Sequence, residues 1–327
     1  RLRATACTGR LYAPVYYFST AICGLKTRNK KRATRMITYN PKDWFTFIFR
    51  FHKADTLRKL LPMMIGISLY CGFIAFLELE YLGWSKTHWV SNITIMHTLL
   101  SFVISMLLVF RTNSAYDRWW EGRKLWGMLV NNSRNLAIKL HSMLDPADEA
   151  NRKFFARTIP LYASVLASHL RAETTRLALD ENEHPEWKEV DKNKHIPNQV
   201  ATLLLQRVNR LYVEGKIKGD QLIVLNSELM SFTDICGACE RIKNTPIPFS
   251  YSVFLKKFIF FYIMTLPLSL VFSLGYVAIP VVAFIFYVLA SLELIAEEIE
   301  DPFGADENDL PTNKIASNIR INIAEIL

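Results

Sequence analysis

Enzyme signatures are missing from this chain of 327 residues. It holds no GxSxG elbow, no phosphate-cradling Walker loop and no HExxH pair. The commonest hydrolase, nucleotide-dependent and metalloprotease chemistries therefore have no foothold in its motifs. Cysteine is sparse, at five residues. Cys7 and Cys23 lie near the N-terminus and Cys71 in an apolar run. Cys236 and Cys239 have CxxC spacing, but no second CxxC and no nearby histidine completes a zinc set. Two reduced thiols on a packed helix is the plainer reading. Strand-like alternation of useful length is lacking, and so are internal repeats. Acids are absent from residues 1 to 35, which carry nine lysines and arginines. The remaining basic residues balance the 30 acids, so the net charge of +9 belongs to this leader. No basic face for nucleic acid is left in the body, and no nucleic-acid partner is expected. The leader reads as a targeting segment, a lipid-surface tail, or sequence upstream of an alternative start at Met36.

What the chain does have is apolar length. Hydrophobic residues make up 51% and the mean hydropathy is +0.13, which points to a membrane protein, while 21% charged residues require a water-exposed part as well. Four apolar runs stand out: Leu60 to Leu77, Trp89 to Phe110, Phe258 to Leu274 and Val277 to Ile295. Each meets or nearly meets the roughly 20 residues that a span needs. Basic residues cluster before the first run (Arg50, Lys53, Arg58, Lys59), after the second (Arg111, Arg118, Arg123, Lys124) and before the third (Lys256, Lys257). By the positive-inside rule the N-terminus, the middle region and the C-terminus should all be cytoplasmic.

The expected organisation is a leader (1–35), a membrane part with two spans (36–110) and a helical cytoplasmic region (111–257). A second pair of spans (258–295) and an acidic C-terminal segment (296–327) follow. Within the middle region, helical spacing of apolar residues predicts helices over Arg152 to Leu179, Val200 to Val213 and Asp220 to Ile242. Residues 180–198, rich in charge, Pro and Asn, read as an exposed linker. No Pro interrupts the chain between Trp89 and Asp145, so the second span should continue below the membrane as one long helix.

Three features of this chain could carry chemistry. In the second span Phe102, Met106 and Phe110 recur at i, i+4 and i+8 and share one helix face. Copies around an axis would stack three apolar rings, a constriction that gates ions by dewetting. Ordinary packing against lipid or a neighbouring helix is the plainer reading of the spacing, and Val103 and Leu107 form a competing stripe. A row of hydroxyls, Thr94, Thr98, Ser101 and Ser105, runs alongside and suits backbone bonding or a wet face. Next, Arg111, Asp117, Arg118, Trp119, Trp120 and Glu121 mix charge with aromatic rings. They suit an interfacial anchor or a collar of ion pairs and cation–aromatic contacts that locks subunits together. Finally, Glu293 to Asp309 holds eight acids without a base. Among them Glu297, Glu298, Glu300, Asp301, Asp306 and Asp309 are candidate calcium ligands, although the spacing is not that of an EF-hand and solvated carboxylates are the commoner outcome. Calcium is the one cofactor candidate. The seven histidines are scattered. Only His97 lies well inside a span, as a functional group or as a hydrogen-bonded packing residue.

Three blocks of sequence together resemble the bestrophin family, in its bacterial and plant channel-like branch. They are Phe110 to Arg123 (FRTNSAYDRWWEGR), Gly237 to Phe249 (GACERIKNTPIPF), and Ala296 to Gly304 (AEEIEDPFG) with Asn308 to Pro311 (NDLP). The likeness runs from about Met36 to the C-terminus. It implies an all-α membrane protein: a homopentamer with four membrane helices per subunit and a helical cytoplasmic domain. Its partners would be copies of itself, the bilayer and small inorganic ions. It also implies a passive channel for small monovalent ions, chloride or other anions first among them, with Phe102, Met106 and Phe110 as the neck. Met106 stands where the family often has Ile or Phe. A second constriction is implied near Ile217 to Ile223. Animal members hold calcium after the last span, but the run here is Glu-Glu-Ile-Glu-Asp-Pro instead of an unbroken Asp run. The alternatives are a cation-selective channel of the same fold and a membrane-anchored scaffold. The membrane would be the inner (plasma) membrane in a bacterium, or an organellar one if residues 1–35 are a targeting leader.

Overall fold

The computed structural model describes residues 55–81, 93–171, 190–191, 194–304, 306 and 308–327. The leader and most of the expected linker over 180–198 lie outside them. Among the described residues every regular element is helical. Helix α1 (Asp55–Phe76) passes Pro62 and ends in one π-helical turn, Leu77–Tyr81. Helix α2 (Ile93–Met143) runs 51 residues without a break. At 1.5 Å per residue it is about 77 Å long, more than twice the hydrocarbon thickness of a bilayer. Then come α3 (Glu149–Leu170), α4 (Ile196–Val213) and α5 (Gly219–Asn244). The last two apolar runs form α6 (Phe249–Thr265), α7 (Pro267–Leu274) and α8 (Ala278–Glu300). Between α7 and α8 the chain reverses at Gly275, whose φ of +55° is one that L side chains rarely adopt.

A last helix, α9 (Thr312–Ile326), closes the chain where only an acidic segment was expected. Its buried residues, Thr312, Ala316, Ile319 and Ile323, fall on one face, and that face packs on α2 and α3. Acids are concentrated just ahead of it, which disguised the periodicity that follows.

Two cores result. One joins α1, α2, α6, α7 and α8 through Cys71, Ile104, Leu108, Leu255, Ile263, Val282 and Phe286. The other joins α2, α3, α4, α5 and α9 through Trp126, Leu136, Phe155, Tyr162, Leu204, Phe232 and Ile319. Helix α5 is also long and apolar enough to cross a membrane. It carries Asp220, Glu228, Asp234, Glu240, Arg241 and Lys243, however, and its apolar face is buried in the second core, so it belongs to the body. The membrane helices are α1, the first part of α2, α6 with α7, and α8. Only α2 enters both cores.

Candidate functional site: the long helix and its junction

The first part of α2 is covered by its own subunit along one narrow strip. His97, Ile104 and Leu108 are buried. On the uncovered side Phe102 is 71% exposed, Met106 49% and Phe110 54%. The three expected neck residues therefore share an open face. The competing stripe splits, because Val103 is exposed whereas Leu107 packs against the membrane core. The hydroxyl row serves its own helix: Thr98 donates to the Thr94 carbonyl (3.0 Å), Ser101 to Thr98 (2.7 Å) and Ser105 to Ser101 (2.7 Å). His97 is a packing histidine. Its Nδ1 meets the Ile93 carbonyl at 3.0 Å and its Nε2 the Thr265 hydroxyl at 3.0 Å. A carbonyl can only accept, so Nδ1 carries the proton.

Directly below Phe110 the three sequence blocks converge on one junction. Arg111 is 2% exposed, and its Nη2 pairs with Glu300 Oε2 at 2.7 Å while Nε lies 3.5 Å from Glu293 Oε2. Glu300 also accepts from the Ile247 backbone N–H at 2.7 Å. Arg118 donates to the carbonyls of Glu300 (3.0 Å), Ile242 (2.6 Å) and Thr245. It thereby satisfies carbonyls at the C-terminal ends of α5 and α8. Trp119 Nε1 donates to the Asn308 carbonyl at 3.0 Å, and Glu121 pairs with Arg241 at 2.6 Å. At Gly122 a Cβ would come within 3.1 Å of the Phe303 ring and 3.3 Å of Leu310. The third block lies close on α2 here, and a side chain would make the Phe303 and Leu310 ends give by a few tenths of an ångström.

Within the subunit, Arg111, Arg118, Trp119 and Glu121 tie α2 to α5, α8 and the third block. Tyr116, Asp117 and Trp120 remain exposed. The Tyr116, Trp119 and Trp120 rings stack with centroids 6.2 to 6.5 Å apart, and Lys124 lies 5.8 Å from the Trp120 centroid. The sequence could not separate the two roles, because Arg111 and Glu300 meet only through the fold.

Most of the candidate calcium carboxylates hold other partners. Glu297 pairs with Lys256 at 2.9 Å, and Glu298 with Lys59 at 2.8 Å. Asn308 also donates to Glu298, at 2.8 Å. Asp301 meets the Phe303 N–H at 3.4 Å. Asp306 is exposed, and its backbone N–H donates to the buried Asp309 carboxylate. Burial above all pushes Asp309 up to about 7, and the nearby Asp306 and Asp301 charges add to this against the Asp306 N–H and Arg171. In the segment expected to hold a second constriction, Ile217 is buried in the body core while Ile223 is exposed. The CxxC reading holds. Cys236 and Cys239 are buried free thiols, each pushed up to about 12 by burial first and by nearby negative groups second.

Several relatives by sequence are channels by name. A Nostoc protein named voltage-dependent anion channel-forming protein is 31% identical over 294 residues, covering 89% of this chain and 94% of its own. The Escherichia coli K12 protein YneE, of the same name, is 30% identical over 305 residues, with 89% and 94% covered. The crystal structure of a bacterial bestrophin homolog from Klebsiella pneumoniae matches with a TM-score of 0.71 at 27% identity, over 82% of this chain and 98% of that one. The family model described as bacterial/fungal bestrophin protein matches residues 36–325. With nearly all of the chain from Met36 onward inside that match, and with the quoted blocks meeting at one junction, the chain belongs to the bestrophin family.

Proposed function

We propose that this protein is a passive channel for small monovalent anions, chloride first among them, assembled as a homopentamer around the uncovered face of α2. The observation that carries the reading is the apolar ridge of Phe102, Met106 and Phe110. It is open to its surroundings on a helix whose opposite side is anchored by Ile104, Leu108 and the Arg111 junction. Copies of α2 around an axis bring these side chains into three rings narrow and apolar enough to dewet. Met106, unbranched and with more rotatable bonds than Phe or Ile, makes the middle ring the most yielding. Below the rings the exposed residues of α2 turn polar, with Asn113, Ser114 and Asp117, then Arg123 and Lys124. A wet vestibule thus follows a dry neck. The names of the Nostoc and Escherichia coli relatives support anion conduction, and the basic flanks of the spans support a cytoplasmic body.

The test is the double variant Phe102→Ala with Phe110→Ala in reconstituted bilayers. A neck predicts higher open probability or conductance, and unchanged currents would remove the neck assignment. A reversal potential under a salt gradient, measured with and without calcium, reads ion sign and calcium control together. Calcium control through Glu297 to Asp309 is part of the proposal in one form only: the ion must displace Lys256 from Glu297 and Lys59 and Asn308 from Glu298. Currents indifferent to calcium would strike it out. A monomer by light scattering in detergent would favour a scaffold over a pore.

A further inference from the structure

Away from α2, the body gathers three side chains that neither the junction nor the neck uses. His169 stands in the last turn of α3, His195 is the N-cap of α4, and Glu240 projects from α5. Both imidazole Nε2 atoms lie 2.6 Å from the same Glu240 oxygen, Oε1, and the rings sit edge to face with centroids 4.6 Å apart. Among the described residues this is the place where His, Cys, Asp or Glu ligand atoms gather in a group of three, all within 4.8 Å of one another. Each of the three side chains is about one-third exposed, so an ion has a route in and a water has room to complete its shell.

We propose that His169 Nε2, His195 Nε2 and Glu240 bind a zinc-class divalent metal ion, with water in the fourth position, stapling α3, α4 and α5 together. Two imidazoles and a carboxylate are a borderline-soft donor set that suits zinc and disfavours calcium or magnesium, which take oxygen. In a tetrahedral site with metal–ligand bonds of about 2.0–2.2 Å, neighbouring donors stand roughly 3.3 Å apart. The carboxylate oxygen therefore has to retreat from each nitrogen by less than about 1 Å. The sulfur atoms of the buried thiols Cys236 and Cys239 are not part of the gathered group. Two contacts oppose the ion. Lys243 brings a positive charge close, donating to the His169 carbonyl at 3.2 Å. His195 Nδ1 accepts the Asn198 N–H at 3.2 Å as the cap of α4. A neutral ring that ligates through Nε2 carries its proton on Nδ1, so binding gives up that cap bond. The loss is small beside the binding energy of a structural zinc.

The experiment uses the full chain in detergent, stripped with chelator and titrated with zinc chloride by calorimetry, with magnesium and calcium chloride in parallel. One zinc per subunit and a zinc-dependent rise in melting temperature are expected, with neither produced by magnesium or calcium. Glu240→Gln keeps the shape of the side chain, and His195→Asn keeps a good N-cap while removing the imidazole. Each should weaken zinc binding by roughly tenfold or more and abolish the thermal shift, with helix content by circular dichroism unchanged. Absence of zinc binding to the parent chain, or binding unaltered in both variants, overturns the site. Neither result bears on conduction, so the fate of the channel reading is separate.

Discussion

The two ends of α2 use their apolar side chains in different ways. Between Ile93 and Phe110 the large residues Ile95, Met96, Leu99, Phe102, Met106, Val109 and Phe110 stand exposed on the subunit. Between Trp126 and Leu140 the apolar residues Trp126, Leu129, Leu136, Ala137 and Leu140 are completely buried. In water each buried Leu-sized side chain of the lower half contributes about 1.5–3 kcal/mol. In hydrocarbon that driving force is absent, because lipid tails are as apolar as the side chains, and helices associate by packing and hydrogen bonding. The upper half is thus free to leave a ridge of large residues uncovered for lipid, a neighbouring copy or a pore axis. The lower half buries one apolar face completely and leaves only Met128 and Ile138 among its large apolar residues exposed. Polarity changes at Arg111, where the buried ion pairs begin.

Four substitutions break or sharpen this contrast. The largest effect is expected at the boundary. Arg111→Ala leaves Glu293 and Glu300 facing each other without their cation and should cost about 3–5 kcal/mol, read as a fall in melting temperature of the detergent-solubilised protein. Replacing the cluster together, Arg111→Met with Glu293→Gln and Glu300→Gln, should recover much of the loss. Within the helix, Trp126→Ala should cost about 3–5 kcal/mol by opening a cavity in the body core. Phe102→Ala, a similar loss of ring in the other half, should shift subunit stability by no more than about 0.5 kcal/mol. Equal shifts for the two would show that the upper face is as tightly packed as the lower. Gly122→Ala makes Phe303 and Leu310 give by a few tenths of an ångström, a cost that the helix-propensity gain of about 1 kcal/mol offsets, so chemical unfolding of the body should change by no more than about 1 kcal/mol.

A further effect depends on pH. Asp309 has its folded value raised to about 7, so the folded protein holds this proton more tightly than the unfolded chain. Its contribution therefore falls as pH rises from the ordinary aspartate range through about 7. Asp309→Asn keeps an acceptor for the Asp306 N–H and should raise the melting temperature at both pH 8 and pH 5, by clearly more at pH 8. An equal shift at both values would show that the carboxylate is not held protonated.

Local rules made much of the molecule legible. The absence of Pro between Trp89 and Asp145 announced α2, and helical spacing announced α4 and α5 to within a few residues. The acids before Thr312 hid α9, whose apolar residues form a pattern only once its polar start is ignored. The open face of Phe102, Met106 and Phe110 was readable as a stripe, but spacing gave no reason to prefer it over Val103 and Leu107. That came from Leu107 packing inward. Side chains distant in sequence were the illegible part. Arg111 meets Glu300, and His169 and His195 meet Glu240, because helices cross there. Histidines that look scattered along the chain are neighbours in the body.

The uninterrupted length of α2 also sets a gear ratio. Taking Arg111 as the fulcrum, the ridge at Phe102 lies about 13 Å to one side and the far end at Met143 about 48 Å to the other, at 1.5 Å per residue. A sideways swing of about 3 to 4 Å at the foot of the body then moves the ridge by about 1 Å. In the proposed channel the body would work the long arm, turning broad, low-force displacements there into small, forceful ones at the Phe102 and Phe110 rings.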